Sequence, residues 1–239
     1  MSDGIKRDAG KRIILEIVLV LLSIGVLAYS LLKLGGKMYY LICVAMVLIS
    51  IIFFMIQYER KQPKVTEIML VAVLCSIGVV SRISMAFLPQ VKPMAVFVII
   101  AGVSMGPETG FFSGMLCAFV SNFYFGQGSW TPFQMFALGV VGFFAGIIFK
   151  SQDVKPWKVS LYGFLSIVIL YGGIVDINTL YYMTGMSTKE ALIAVYGAGL
   201  MFNVIYGLST AALLFLLYKP IIKSIRRVMK KQDRISGID

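Results

Sequence analysis

The chain has 239 residues, is 59% hydrophobic and only 14% charged, and has a mean hydropathy of +0.89. A water-soluble chain needs roughly 25% charged residues to cover its surface, so an ordinary soluble domain is excluded and lipid is the expected solvent. The sequence has no histidine, which removes His-metal sites, His general bases and His-dependent nucleophiles.

Apolar runs of about twenty residues can cross a ~30 Å hydrocarbon layer as helix. Taken in chain order, they predict an all-α membrane protein with eight transmembrane helices, at 13–34, 38–57, 65–88, 93–106, 110–127, 132–149, 159–180 and 191–218. The fourth is short, running from Pro93 to the stop at Gly106-Pro107, where proline lacks the amide the helix needs. Tyr58–Lys64 is the one clear internal linker. It divides the chain into residues 1–62, a basic N-terminus with an extra two-helix hairpin, residues 63–220, a six-helix core, and residues 221–239, a basic tail. Cys43, Cys75 and Cys117 lie inside apolar runs without CxxC spacing, as small packing residues rather than disulfide partners or metal ligands.

Lysine and arginine are retained on the cytoplasmic side of short loops. Lys6, Arg7, Lys11 and Arg12 precede the first span, Arg60, Lys61 and Lys64 follow the second, and Lys150, Lys155 and Lys158 follow the sixth. Seven more, from Lys219 to Arg234, follow the last. Eight spans then place both termini in the cytoplasm, and topology explains the net charge of +11. The basic tail reads as a lipid-headgroup anchor rather than a nucleic-acid site. The first span is too long, and lacks an A-x-A site after it, to be a cleaved signal peptide.

Polar side chains inside a bilayer are costly and usually functional. Arg82, Asn122, Gln134, Asp176, Asn178 and Asn203 come from five different spans, and each falls in the outer half of the membrane. The inner half holds little beyond Ser, Thr and Gly, apart from Glu67 near its edge and Glu108 in a turn. That asymmetry predicts a pocket open to the exterior, set against the alternative that each group merely snorkels to water. The densest segment, Ser121–Met135, joins Asn122, Gln127, Trp130 and Gln134 with aromatic residues, Gly126, Gly128 and Pro132. Aromatic faces with orienting amides are the composition of a small-molecule site, although Trp and Tyr also collect in interfacial belts.

Small residues recur at four-residue steps: Gly102, Gly106, Gly110 and Gly114, then Gly142 and Gly146, then Ala194 and Ala198. Most are read as close helix packing within the chain, whereas Ala72 and Ser76 form a pair that could meet a partner helix. No G-x-x-x-x-G-K-[ST], H-E-x-x-H or G-x-S-x-G motif occurs. A binding protein that borrows its energy fits these features. Two other classes are open to such a chain: a membrane scaffold of cell-envelope assembly, and a lipid-processing enzyme using Arg82 with Asp176.

Gly110-Phe111-Phe112-Ser113-Gly114, followed by the string from Ser121 to Met135, resembles the substrate-specific (S) components of energy-coupling factor (ECF) transporters, and among them most the cobalamin-type group. The likeness covers roughly residues 65–218. It implies a six-helix, non-enzymatic subunit without cofactor or metal of its own in a prokaryotic cell membrane. That subunit captures a vitamin outside, docks on a transmembrane T subunit driven by two cytoplasmic ATPases, and topples to release its ligand inside. The implied contacts are Asn122, Gln127, Trp130 and Gln134 with Arg82, Asp176 and Asn203 for substrate, and Ala72 with Ser76 for the T subunit. Without histidine, a corrinoid would be held by shape, stacking and amide contacts. The N-terminal hairpin is additional to the six-helix pattern.

Overall fold

A computed structural model describes residues 13–26, 37–149, 154–184 and 188–235, and every regular element among them is helical. The helices are α1 (Ile13–Val26), α2 (Lys37–Arg60), α3 (Val65–Ser84), α4 (Met94–Met105), α5 (Pro107–Phe125), α6 (Trp130–Ile148), α7 (Pro156–Leu165), α8 (Gly172–Thr184) and α9 (Lys189–Ile235). A π-helical segment, Ser166–Tyr171, joins α7 to α8 without a break. Four stretches are long and apolar enough to cross a membrane: Val65–Ser84, Trp130–Ile148, Pro156–Tyr182 and Lys189–Gln232. Ile13–Val26 and Met94–Met105 are apolar but shorter. Residues 27–34 of the expected first span lie outside the described residues.

Several expected boundaries move by a few residues, and two of the shifts have a local cause. The third helix was expected to reach residue 88 but stops at Ser84, because the chain turns through Met85–Gln90, where Pro89 precedes Gln90 at φ 60°. The last was expected to end at 218, yet α9 continues through Pro220 to Ile235. The hydropathy pattern ends where lysines begin, but Lys, Arg and Met are good helix formers, so the helix outlasts its apolar stretch.

The core sits around α4, all twelve of whose residues are buried against α3, α5, α6 and α9. Close approach of α5 and α6 requires glycine. A Cβ on Gly142 would overlap the Gly110 carbonyl oxygen, one on Gly110 would overlap that of Gly142, and one on Gly114 would overlap that of Leu138. The glycine steps are thus internal packing surfaces, as expected. Ala194 and Ala198 differ, since both line a cavity.

Helix α2 covers one side of this core. Phe54 stacks on Phe111 with ring centroids 3.8 Å apart and meets Phe143 edge-on at 5.2 Å, while Tyr58 stacks on Phe112 at 4.2 Å. The hydroxyls of Ser23 and Ser50 share a hydrogen bond of 2.7 Å between α1 and α2. In the linker, Lys61 Nζ donates to Glu67 Oε1 at 2.7 Å, Thr109 Oγ1 at 2.8 Å and the Met105 carbonyl at 2.8 Å, satisfying an orphan carbonyl at the end of α4. Cys75 and Cys117 are buried free thiols, as expected.

Candidate functional site

Helix alternation brings three connections to one end of the bundle: residues 85–93 between α3 and α4, residues 126–129 between α5 and α6, and the start of α9. Below them lies a cavity of about 510 Å³, within the usual range for small-molecule sites. Gln134 from α6, Asp176 from α8 and Asn203 from α9 line it, with Gln90 and Lys92 from the 85–93 connection and Tyr171 from the π segment. A second cavity of about 350 Å³ lies between Arg82, Phe125 and the same connection, and the two share Gln90 and Lys92 as common wall.

The polar groups are held in fixed poses by one another. Arg82, in the last turn of α3, is buried; its Nη1 donates to Ser121 Oγ and, at 3.2 Å, to Asn122 Oδ1, and its guanidinium lies 4.3 Å from the Phe125 ring centroid. Asn122 Nδ2 donates to Gln134 Oε1 at 2.9 Å and to Thr131 Oγ1 at 3.1 Å. The relay runs from guanidinium to amide to amide. It engages one lone pair of the Gln134 oxygen and leaves the Gln134 amide nitrogen to donate into the cavity.

On the opposite wall, Asn203 Nδ2 donates to Asp176 Oδ2 at 3.0 Å. Glycine makes room for this pair: a Cβ on Gly199 would crowd the Asp176 carboxylate and one on Gly172 the Asn203 amide. Lys92 supplies the cation. Its ammonium lies 5.3 Å from the Tyr206 ring centroid, and burial, reinforced by the Arg82 charge, lowers its pKa to about 8. The described wall therefore combines a carboxylate, a cation, amides and the Tyr171 ring, which meets Tyr206 edge-on at 5.2 Å. Such a surface can orient a ligand bearing both donors and acceptors; among the described residues no group of three or more Cys, Asp or Glu could hold a metal.

Of the expected contacts, Gln134, Asp176 and Asn203 line the larger cavity and Arg82 the smaller one. Asn122 is buried behind Gln134. Gln127 is exposed and donates to the Phe119 carbonyl at 3.0 Å. Trp130 lies over Gly128, donates to the Gly126 carbonyl at 3.3 Å and meets Tyr182 edge-on at 6.2 Å. Neither Gln127 nor Trp130 lines either cavity. Asn178 is buried and, two residues from Asp176, is not in the cavity wall. Sequence reading missed Gln90, Lys92, Tyr171 and Thr179. Thr179 was findable, since three residues beyond Asp176 is the same helix face. Lys92 carried no signal beyond its share of the net charge.

The described residues are helical, with several membrane-length apolar helices and a polar, ligand-sized cavity at one end. Residues 66–226 match the family model described as ECF transporter, substrate-specific component, and the chain belongs to that family. It is therefore a substrate-binding transporter subunit rather than an enzyme, and works with T and ATPase subunits on a small-molecule substrate. Comparison with curated proteins and with solved structures gave no match.

Proposed function

We propose that this S component captures a vitamin or related micronutrient, with a corrinoid of the cobalamin type as first candidate, at the end of the bundle that faces the cell exterior. The observation that carries this reading is the convergence of Gln134, Asp176 and Asn203, from three helices, on one cavity. A corrinoid is bulky and edged with amides. The adjoining cavities suit it by offering room on both sides of Gln90 and Lys92, and by lining that room with amides and charged groups. Asn122 orients Gln134, while Gln127 and Trp130 belong to the mouth.

In the same reading the chain makes eight crossings with both termini in the cytoplasm, and residues 1–62 form a hairpin attached to a six-helix core. Ala72 and Ser76 form the contact with the T subunit. Their support is exposure: both lie on the face of α3 turned away from α4 and α5, among the exposed Ile68, Met69, Val73 and Ile77.

The test is equilibrium binding to the detergent-solubilised chain alone, with cobalamin, cobinamide, riboflavin, folate and queuosine precursors as ligands. One-to-one binding of a corrinoid is expected. Binding of another vitamin would replace the corrinoid and keep the capture reading, whereas no binding across the panel would remove both.

A further inference from the structure

At the pole opposite the ligand cavity, a groove of about 620 Å³ runs between the start of α7 and the last third of α9. Its cations are Lys155, Lys219, Lys223, Arg226, Arg227 and Lys230, and no carboxylate is among the described residues that line it. The floor is apolar, with buried Tyr218 and Ile222 beside Pro156. The amino end of α7 opens beside it with no side-chain cap on Lys155, adding the positive end of a helix dipole.

Its position relative to the apolar surface identifies the occupant. From Ala191 to Tyr218, α9 carries no charged residue, and Lys219 is the first cation after that stretch. Just on the apolar side of the groove, Leu161, Phe215 and Leu216 are exposed, as is Trp157, whose ring suits the interface between headgroups and chains. A phosphate seated among the lysines would have acyl chains running down this apolar flank. A soluble anion would use the charges and leave the flank unused.

We propose that this groove binds the headgroup of an anionic phospholipid, with a preference for a diphosphate headgroup such as that of cardiolipin. Several cations in one concave site, rather than one or two spread on a helix, favour a ligand with more than one phosphate. The site is separate from solute capture and holds whether or not the ligand is a corrinoid.

The test is native mass spectrometry and lipid titration of the full chain, with tetraoleoyl cardiolipin, phosphatidylglycerol and phosphatidylcholine as probes. Cardiolipin should be retained most strongly and phosphatidylcholine least. The combined variant K223Q/R227Q/K230Q should weaken cardiolipin binding on the order of a hundredfold, because three charges near the headgroup are lost. A control, R60Q/K64Q, neutralises cations at the same pole outside the groove and should leave binding unchanged; helix content and melting temperature show that both variants fold. Equal retention of phosphatidylcholine, equal loss in the control, or no loss in the groove variant would overturn the proposal. Displacement of cardiolipin by inorganic phosphate at matched ionic strength would also overturn it, assigning the groove to a free anion.

Discussion

The Asn203 amide reaches from α9 to the Asp176 carboxylate of α8 at 3.0 Å, in a space that only glycine at positions 172 and 199 leaves open. The pair is small, polar and set in the cavity wall, where its carboxylate keeps acceptor capacity beyond the one bond from Asn203. Gly199→Ala should displace the carboxylate and weaken ligand binding by about 1–3 kcal/mol, the scale of one disturbed buried hydrogen bond. Asp176→Asn should do the same without adding bulk. Titration of both variants with the vitamin that binds the parent chain checks this; unchanged affinity in both would remove Asp176 from the contact set.

Arg82 acts one step away, by holding the Asn122–Gln134 relay. Arg82→Gln removes the donor to Asn122 Oδ1 and Ser121 and the cation over Phe125. It should lower stability by about 1.5–3 kcal/mol, the range for a hydrogen bond to a charged group. Arg82→Lys should recover only part, because a flexible, more strongly hydrated ammonium is not pre-organised to serve Ser121 and Asn122 while staying close to the Phe125 ring. Thermal unfolding in detergent measures both, and full recovery by lysine would show that charge alone matters.

The glycines separate by sign. Gly142→Ala must push α5 and α6 apart, because backbone rather than a movable side chain stands in the way, and a cost of about 1–3 kcal/mol or more is expected. Gly197, on exposed α9, has nothing within 4 Å of an added Cβ, so Gly197→Ala should stabilise by roughly 0.4–1 kcal/mol through the unfolded chain. Melting temperatures moving in the same direction for both would contradict the packing described for α5 and α6.

Lys92 predicts a pH dependence. Its pKa falls from 10.5 to about 8, first through burial and then through Arg82, with Asp176 and the Tyr171 and Tyr206 rings also on its side of the bundle. Between about pH 8 and 10.5 the unfolded chain holds a proton that the folded chain has lost, so stability should rise with pH across that window. Affinity for a ligand that accepts a hydrogen bond from the ammonium should fall as pH passes about 8. Lys92→Met should flatten both profiles; a stability curve that keeps its rise in that variant would assign it to another group.

Much of this was legible because a bilayer makes position costly. Polar residues cannot be scattered through lipid, so Arg82, Asn122, Gln134, Asp176 and Asn203 could be placed at one end from their depth alone, and all five meet in two linked clusters there. The placement of Trp130 and Gln127 outside both cavity walls has the same root. Aromatic and amide residues at headgroup depth serve a ligand or an interface equally well, and hydropathy does not distinguish inward from outward in a loop. Lys92 was hidden because a lysine in a connection reads as solvated. Its partial burial depends on how residues 85–93 fold back over α9, a contact distant in sequence. The packing of α2 was equally hidden, since the Phe54–Phe111 and Tyr58–Phe112 stacks join residues more than fifty positions apart.

Ala72 and Ser76 lie one helical turn apart on exposed α3, and α2 covers α5 and α6 instead. Small residues at that spacing allow a second helix to approach closely, with van der Waals packing rather than burial from water as the driving force. A tryptophan at either position would hold the partner helix away. Ala72→Trp and Ser76→Trp should therefore leave ligand binding by the solitary chain unchanged and abolish co-purification with the T subunit and ATPases. Ile193→Trp, on the exposed surface of α9, adds similar bulk away from that face and should preserve the complex. If the Ile193 variant loses its partners while both α3 variants keep them, the docking face is on α9 and not on α3.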